Sequence, residues 1–486
     1  MLRPDASRAV TQLFVPGQET AGGNETRASG VVQRILDLDD ETVDAALADL
    51  MRRFGDRHRD LTETFSHHAD RIGNRLSAEA ELSEDRWLLL GATFTHEYAV
   101  EGAAACNPSI VLHPDQSRSP VDGAQLIMSV RGIGEGHRSS IGFRRATIDG
   151  SGSVSLAPAG PFPVLGTVHP ARFERVSFHA LLRDAREDGE SAAFVLDRLG
   201  ETFTSQDLEE QVAVLRAQRD TRRNVAATVE RLRSIAVRSY HVEFPVDVEL
   251  SERILWPAMA AESNGMEDAR FVRFVDTDGS VTYYATYTAY DGTDITQQLL
   301  RTHDFVTFDM APIAGRVATN KGLAFFPRRI NGRFAALSRY DRETNAVAFS
   351  DDPLVWDHAT TCQSPQLPWE AIQLGNCGSP IETDDGWLVL THGVGPMRTY
   401  SIGALLLDLD DPTVVIGHLR EPLLSPTPDE QDGYVPNVVY SCGGVLHRDT
   451  LVIPYGIADT RIRIATVSWS ELRGALLWRN AAVAQD

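Results

Sequence analysis

An all-β core with helical additions is the fold class that the sequence predicts. After residue 240, short strand-like runs follow one another almost to the end with little helix between them. Helical periodicity is confined to two blocks, about 31–90 and 175–238. A sandwich, a barrel and a propeller are all compatible with this pattern, and no WD40 or kelch period chooses among them.

The elements justify themselves in order. Residues 1–28 are polar and rich in Gly and Thr, and read as a flexible arm. In 29–90, the run VVQRILDLDDETVDAALADLMRRFGDRH spaces Val43, Leu47, Leu50 and Phe54 at three- and four-residue intervals, with Asp39 or Asp40 as the N-cap. From 91 onward the period shortens: LLLGATF, SIVLH, QLIMSV, IGFRRATI and SVSLA are strand-like runs separated by Gly, Pro, Asp and Ser. The second helical block, 175–238, interrupts this region. The strands resume with FVRFVDTDGSVTYYATYTAY, RFAALSRYDRETNAVAFS, GWLVLTHG and VLHRDTLVIPYG.

The chain has 486 residues, enough for a large enzyme domain with additions, and its 42% hydrophobic and 23% charged content is that of an ordinary globular protein. Its 68 acidic residues against 46 basic ones give a formal charge of -22. Nucleic acid and anionic membrane are poor partners for such a field, and an anionic substrate needs a local cluster of cations. Cys106, Cys362, Cys377 and Cys442 show no CxxC spacing, so neither a disulfide framework nor a zinc site is expected. The first residues carry no apolar run leading to a cleavage site, and no window approaches the roughly 20 apolar residues of a membrane span. The expectation is a cytoplasmic protein.

Several polar groups stand at the ends of apolar strands. Glu267-Asp268-Ala269-Arg270 lies between Met266 and Phe271-Val272. It reads either as a strand-entry turn or as a partly buried carboxyl with a raised pKa, suited to a general acid. Lys321 precedes LAFF, and Arg339 follows FAAL after an Asn331-Gly332 hairpin turn, so two cations can meet at one end of the sheet and hold an oxyanion. Arg328, Arg329 and Arg333 read as rim residues. His392 ends a strand in a Gly-rich turn, with Tyr400 opening the next. A lone histidine there is more often structural, although the glycines permit close approach of a ligand. Asn107-Pro108, Arg131, 135-EGHRSS-140 and the pair Asp459 and Arg461 stand in similar settings, where a solvated loop is the alternative. No GxSxG, P-loop, HExxH or dinucleotide fingerprint appears in a strand-to-helix context. In a propeller, strand ends of this kind converge on one central channel.

The order NPSI, a strand ending in Arg131, MEDAR, YYATYTAYDG, NKGLAFFPRRINGRFAALSR, GSPIETDDGWLVLTHGVGPMRTYSIGALLLDLDDP and GYVPNVVYSCGG…YGIADTRI resembles glycoside hydrolase family 130. The resemblance spans roughly 95–470 apart from the helical insertion, and the N-terminal helices look like those of a longer-chain branch. It implies a five-bladed β-propeller over 91–486 with a central site acting on β-mannosides. Some members are inverting phosphorylases that release α-mannose 1-phosphate; others are hydrolases. It implies that Asp268 is the catalytic acid, although Ala269 replaces the family's usual proline. It assigns Lys321, Arg339, His392 and Tyr400 to phosphate, and Asn107, Arg131 and Arg270 to sugar or phosphate. Glu267, Tyr287 and Asp459 join them as candidate substrate contacts, and Tyr290 and Trp256 are further candidates for a sugar platform.

Physics separates the two reactions. An inverting hydrolase needs a second carboxylate about 6.5–9.5 Å from the acid to activate water. A phosphorylase needs cations to hold phosphate, which is itself the nucleophile. Lys321, Arg339 and Arg131 favour phosphorolysis, with inorganic phosphate as co-substrate and neither cofactor nor metal. Glu135, Glu262, Asp429, Glu430 and Asp459 keep a hydrolase as the alternative. A non-catalytic carbohydrate-binding propeller is a third reading, disfavoured because the acid and the cations are all present. The helical additions are candidates for a rim over the pocket or a homo-oligomer interface.

Overall fold

The computed structural model describes residues 1–17, 27–75, 82–218 and 222–478. The chain divides into two units, one of Asp5–Gly102 with Gly160–Val164, the other of Met1–Pro4, Ala103–Ala159 and Leu165–Asp486.

The smaller unit is mainly helical. Asp39 caps the helix Asp40–Phe54 by accepting from Thr42 N at 2.7 Å, and Val43 and Leu47 are its buried residues. The expected arm, 1–28, falls partly on residues 18–26, which lie outside the described residues. Within it, Ala9–Leu13 is a strand paired with Thr95–Ala99, its first two residues buried. A polar sequence hides this element because only Ala9 and Val10 need an apolar partner. LLLGATF is not a strand: it closes the helix Glu84–Thr93, which is capped by Ser83. A short apolar run has no periodicity of its own, and the Ser-Glu-Asp start decides for helix. A β-carbon on Gly91 would stand 1.8 Å from Phe65 O, so this glycine lets the helix lie directly on Leu61–Ile72.

The larger unit is mostly β, with its strands in open sheets; none among the described residues closes on itself. The first, 12-stranded sheet holds two antiparallel groups, Ala104–Leu156 and Gly265–Pro312, joined by one parallel pair, Gly265 with Ser139. Further groups follow over Ala324–Gln363, Gln373–His418 and Val439–Ser468. The Asn331-Gly332 hairpin forms as its residues demand, both with positive φ, closed by reciprocal bonds between Ile330 and Arg333. Phe143, Phe271, Phe305 and Phe308 pack together at the centre of the largest apolar cluster.

The helical insertion has its own apolar cluster, including Phe173, Phe178, Leu208 and Leu232. The chain enters it by Thr167–Pro170 and leaves it by Tyr240–Glu243, and these two strands pair antiparallel, Tyr240 opposite Pro170. A groove of about 800 Å³ runs between the insertion and the strands. Within it His241 and Arg301 both bond Asp309, and Arg329 bonds Asp276.

One local structure occurs twice. Arg131-Gly132-Ile133-Gly134 and His392-Gly393-Val394-Gly395 each end a strand and enter a short 3-10 turn. Each turn is closed from its last glycine, Gly134 N to Arg138 O at 3.2 Å and Gly395 N to Thr399 O at 3.0 Å. Gly136 with His137, and Met397 with Arg398, are left-handed in the matching places. Arg131 and His392 therefore hold equivalent positions on different sheets.

Candidate active site

Two bulges build the centre of the site. The pairing of Gly265–Val275 with Val281–Tyr290 slips between Glu267 and Arg270, and that of Ala104–Leu112 with Ala124–Ile133 slips between Cys106 and Ser109. Inside each slip one residue has positive φ, Asp268 at 56° and Asn107 at 46°. Asp and Asn are among the residues that tolerate this region, and a bulge re-aims the side chain it carries. The two meet: Asn107 Nδ2 donates to Asp268 Oδ1 at 2.5 Å, with both side chains buried.

Cations surround the carboxyl. Arg131 Nη1 lies 3.4 Å from Asp268 Oδ1, while its Nη2 donates to Glu267 Oε1 at 2.6 Å. Lys321 Nζ donates to Glu267 Oε2 at 2.5 Å and keeps a third of its side chain exposed. Arg270 Nη2 lies 3.9 Å from Asp268 Oδ2; this guanidinium is itself fixed by bonds to Cys377 O, Asp268 O and Tyr440 Oη. Burial pushes the Asp268 carboxyl upward, but the charges of Lys321, Arg131 and Arg270 and the Asn107 bond outweigh it and hold the group well below the usual carboxylate range. The raised pKa expected of this carboxyl is therefore corrected to a lowered one, because three cations face it.

Arg339 and His392 form the adjoining part. Arg339 Nη1 donates to His392 Nε2 at 2.6 Å. Burial, followed by the charges of Arg339 and Arg270, holds the imidazole well below its ordinary value, so it is neutral and able to accept. A β-carbon on Gly375 would stand 2.5 Å from Arg339 Cδ and 2.6 Å from His392 Cε1, so only glycine lets both approach. One on Gly322, the neighbour of Lys321, would stand 3.6 Å from Arg339 Cβ and from Asn376 Oδ1. The backbone beside Lys321 thus lies against Arg339. Tyr400 stacks on His392 with ring centroids 6.2 Å apart, and Tyr440 meets the same ring at 5.0 Å.

Asp459 belongs to the same field. It lies in a left-handed turn with Ala458. Burial raises its pKa, Arg131 opposes that rise, and Asp268 and Glu267 reinforce it. The other carboxylates considered as bases are engaged elsewhere or lie on the surface. Glu262 accepts from Tyr240, Tyr287 and Ala258 N in the core. Glu430 accepts from Tyr455, Arg463 and Thr427 N. Asp429 pairs with Arg463 on the surface, and Glu135 is exposed on its turn.

Tyr287 is not part of the cluster. It is fully buried, and its hydroxyl donates to Glu262 at 2.6 Å. Side chains alternate along a strand, and it is Thr288 that stands opposite Glu267. Of the other platform candidates, Tyr290 donates to Gly292 O, and Arg138 stacks over Trp256. Sequence reasoning missed Tyr440, Asn376 and Gly375; the segments holding them, GNCGSP and NVVYSCGG, are visible but nothing in them singles out the residues. Several buried polar atoms here lack a protein partner, among them Arg131 Nε, Arg339 Nε, Asn107 Oδ1 and Asn376 Oδ1. Buried groups of this kind normally have partners. Among the described residues no group of three or more His, Cys, Asp or Glu is placed to hold a metal ion. Nor is any helix among them long and apolar enough to cross a membrane.

Residues 227–475 match the model of the glycoside hydrolase family 130, described as β-1,4-mannooligosaccharide phosphorylase. The chain belongs to this family. It is therefore a glycoside phosphorylase or a related glycosidase. The family 130 chain is 35% identical over 217 residues to a 1,2-β-oligomannan phosphorylase of Thermoanaerobacter sp. (strain X514), a match covering 44% of this chain and 71% of the relative. It is 32% identical over 227 residues to a β-1,2-mannobiose phosphorylase of Listeria innocua, covering 45% and 62%. The solved structure of a β-1,2-mannobiose phosphorylase from Listeria innocua, in complex with β-1,2-mannobiose, aligns with a TM-score of 0.47 at 21% identity, covering 77% of this chain and 92% of that one.

Proposed function

We propose that the protein is an inverting phosphorylase of β-linked mannosides, using inorganic phosphate to release α-mannose 1-phosphate. The observation that carries this reading is the gathering of Arg131, Lys321 and Arg270 around Glu267 and Asp268, with Arg339 bonded to His392, on whose proton affinity both Arg339 and Asp268 act. The names of the matched relatives support the same substrate class. The strand groups, five in succession, with polar residues gathered from their ends, fit a five-bladed propeller whose centre is this cluster, with the helical unit and the insertion as additions.

In this reading Lys321 and Arg339 hold phosphate beside the neutral His392 and Tyr400, while Asn107, Arg131, Arg270 and Glu267 position the sugar. Phosphate brings its negative charge to the cations that depress Asp268, and so restores that carboxyl's affinity for a proton. Protonated Asp268 gives its proton to the glycosidic oxygen, directly or through a sugar hydroxyl. A phosphate oxygen attacks C1 from the opposite face, the C1–O bond breaks, and the configuration inverts from β to α. Asp268 is then reprotonated from solvent.

Asp459 favours a second reading, hydrolysis, because it is a partly buried carboxyl in the field of Asp268 with a raised proton affinity. Incubation of β-1,2- and β-1,4-mannobiose with and without phosphate separates the two. Mannose 1-phosphate formed only when phosphate is present supports the phosphorylase; free mannose released in its absence overturns it in favour of the hydrolase.

A further inference from the structure

Lys321 and Arg339 stand just beyond the open end of one pair of strands. Ala324–Phe325 pairs with Phe334–Ser338, and among the described residues the ladder ends with Ala324 opposite Leu337. The same register carried two residues further sets Gly322 opposite Arg339, where a β-carbon on Gly322 would stand 3.6 Å from Arg339 Cβ. Residues 319–323 belong to no helix or strand. Arg339 opens a turn closed by Arg342 N, which donates to Arg339 O at 3.1 Å, with Arg342 at φ 71°. The side chain of Asn320 joins the two. Its Nδ2 donates to Tyr340 O, one residue beyond Arg339, and its Oδ1 accepts from Arg342 Nε at 3.0 Å. Its own carbonyl, in the peptide shared with Lys321, accepts from Gln297 Nε2, and Gly322 O accepts from Asn376 Nδ2 at 2.9 Å. Gln297 and Asn376 thus tie the backbone around Lys321 to the sheets, and Asn320 ties it to the turn of Arg339.

Resting on the phosphate reading above, we propose that Asn320 is a positioning residue, an amide brace that sets the spacing of the two backbones carrying the phosphate cations. An amide suits this place because it donates and accepts at once. Aspartate would keep the acceptor for Arg342 but set an oxygen against Tyr340 O, and leucine, of similar shape, does neither. An anion held between two cations depends on their spacing, because a binding constellation works only when its members are held to about half an ångström. The saccharide is assigned to Asn107, Arg131, Arg270 and Glu267, on strands that Asn320 does not bond, so the effect of the brace falls on phosphate.

The test uses the full chain and measures binding of inorganic phosphate by calorimetry, KM for β-1,2- and β-1,4-mannobiose by initial rates, and melting temperature. Asn320→Leu is expected to weaken phosphate binding about fivefold, in the range for residues that act through others, with far less change in KM for the saccharide. Should Asn320→Leu fail to fold, Asn320→Ala carries the same expectation. Arg342→Met cuts one of the two bonds from the surface. It should weaken phosphate about twofold when Asn320 is present, and not at all when Asn320 has been replaced, because the two then act as one unit. Unchanged phosphate affinity in the Asn320 variant, or a parallel rise in the saccharide KM, would overturn the brace. So would an equal loss from Arg342→Met in both backgrounds, which would show Arg342 acting by charge alone. A change confined to melting temperature would leave Asn320 a structural role only, and overturns it too. If wild-type protein binds no phosphate, the phosphate reading and the brace fall together. If it binds phosphate but turns over neither mannobiose, the substrate reading falls, and the phosphate affinities still decide the brace.

Discussion

Asn107 and Asp268 sit on matching bulges of two different strands, each with positive φ, and bond to each other across them. The proposed acid is thereby held from a strand other than its own, in another antiparallel group of the same sheet. Its orientation depends on two registers rather than one.

Asp268→Asn should fold with the wild-type circular dichroism spectrum and lose between about a hundredfold and ten-thousandfold in kcat, the usual range for removing a general acid. Product release from a β-mannobiose measures it. Full turnover in this variant would remove Asp268 from the chemistry.

Asn107→Asp replaces a donor with a second carboxylate against Asp268. Like charges disfavour ionisation, so one proton is shared by the pair and held to higher pH. The alkaline limb of the rate profile should move upward even as the rate falls. A limb that stays where it is in wild type would show that Asp268 does not set it.

Gly375→Ala places a methyl group where Arg339 and His392 now approach. Displacing both should raise KM for phosphate by about tenfold or more, since charge-assisted bonds to an anion are among the stronger ones. The KM for the saccharide should change far less. Initial rates at varied phosphate concentration read the difference.

Gly91→Ala tests the smaller unit. The added carbon meets the Phe65 carbonyl, part of a helix backbone that cannot swing away. A loss of about 1–3 kcal/mol or more is expected from such overpacking. Thermal melting would detect it, and an unchanged melting temperature would contradict the helix contact.

His68 gives that unit a pH dependence. Burial, then the charges of His67, Arg71 and His96, lower its pKa to about 4, while Nδ1 bonds Thr95 Oγ1. The folded value lies below the unfolded one, near 6.5. The stabilising contribution is therefore complete above about pH 6.5 and is lost as pH falls toward 4. Melting curves across that window should show a fall in stability that His68→Gln reduces.

Local chemistry was the legible part of this molecule. Asp39 announces its helix, Asn331-Gly332 its hairpin, and Glu267-Asp268-Ala269-Arg270 a carboxyl among apolar residues. LLLGATF reads as a strand but is helical, because an apolar run of that length suits either element. Tyr287 reads as a sugar platform because it is aromatic, whereas strand parity, which turns it into the core, needs the register. The lowered pKa of Asp268 could not be read at all, since it arises from Lys321 and Arg131, far away in sequence. Tyr440 and Gly375 matter only for what they touch.

The hydrogen-bonded stem formed by Thr167–Pro170 and Tyr240–Glu243 has its own consequence. Where a lobe leaves and rejoins a chain at adjacent points and keeps its own oily interior, closing the gap costs little chain entropy. A tight turn joining Pro170 to Tyr240 would bypass everything between them, giving up the bonds of Arg183 to Asp357 and Ser177 to Asp352. A chain shortened in this way should still fold its sheets, short of these contacts and of the bond from Gly315 N to Asp184.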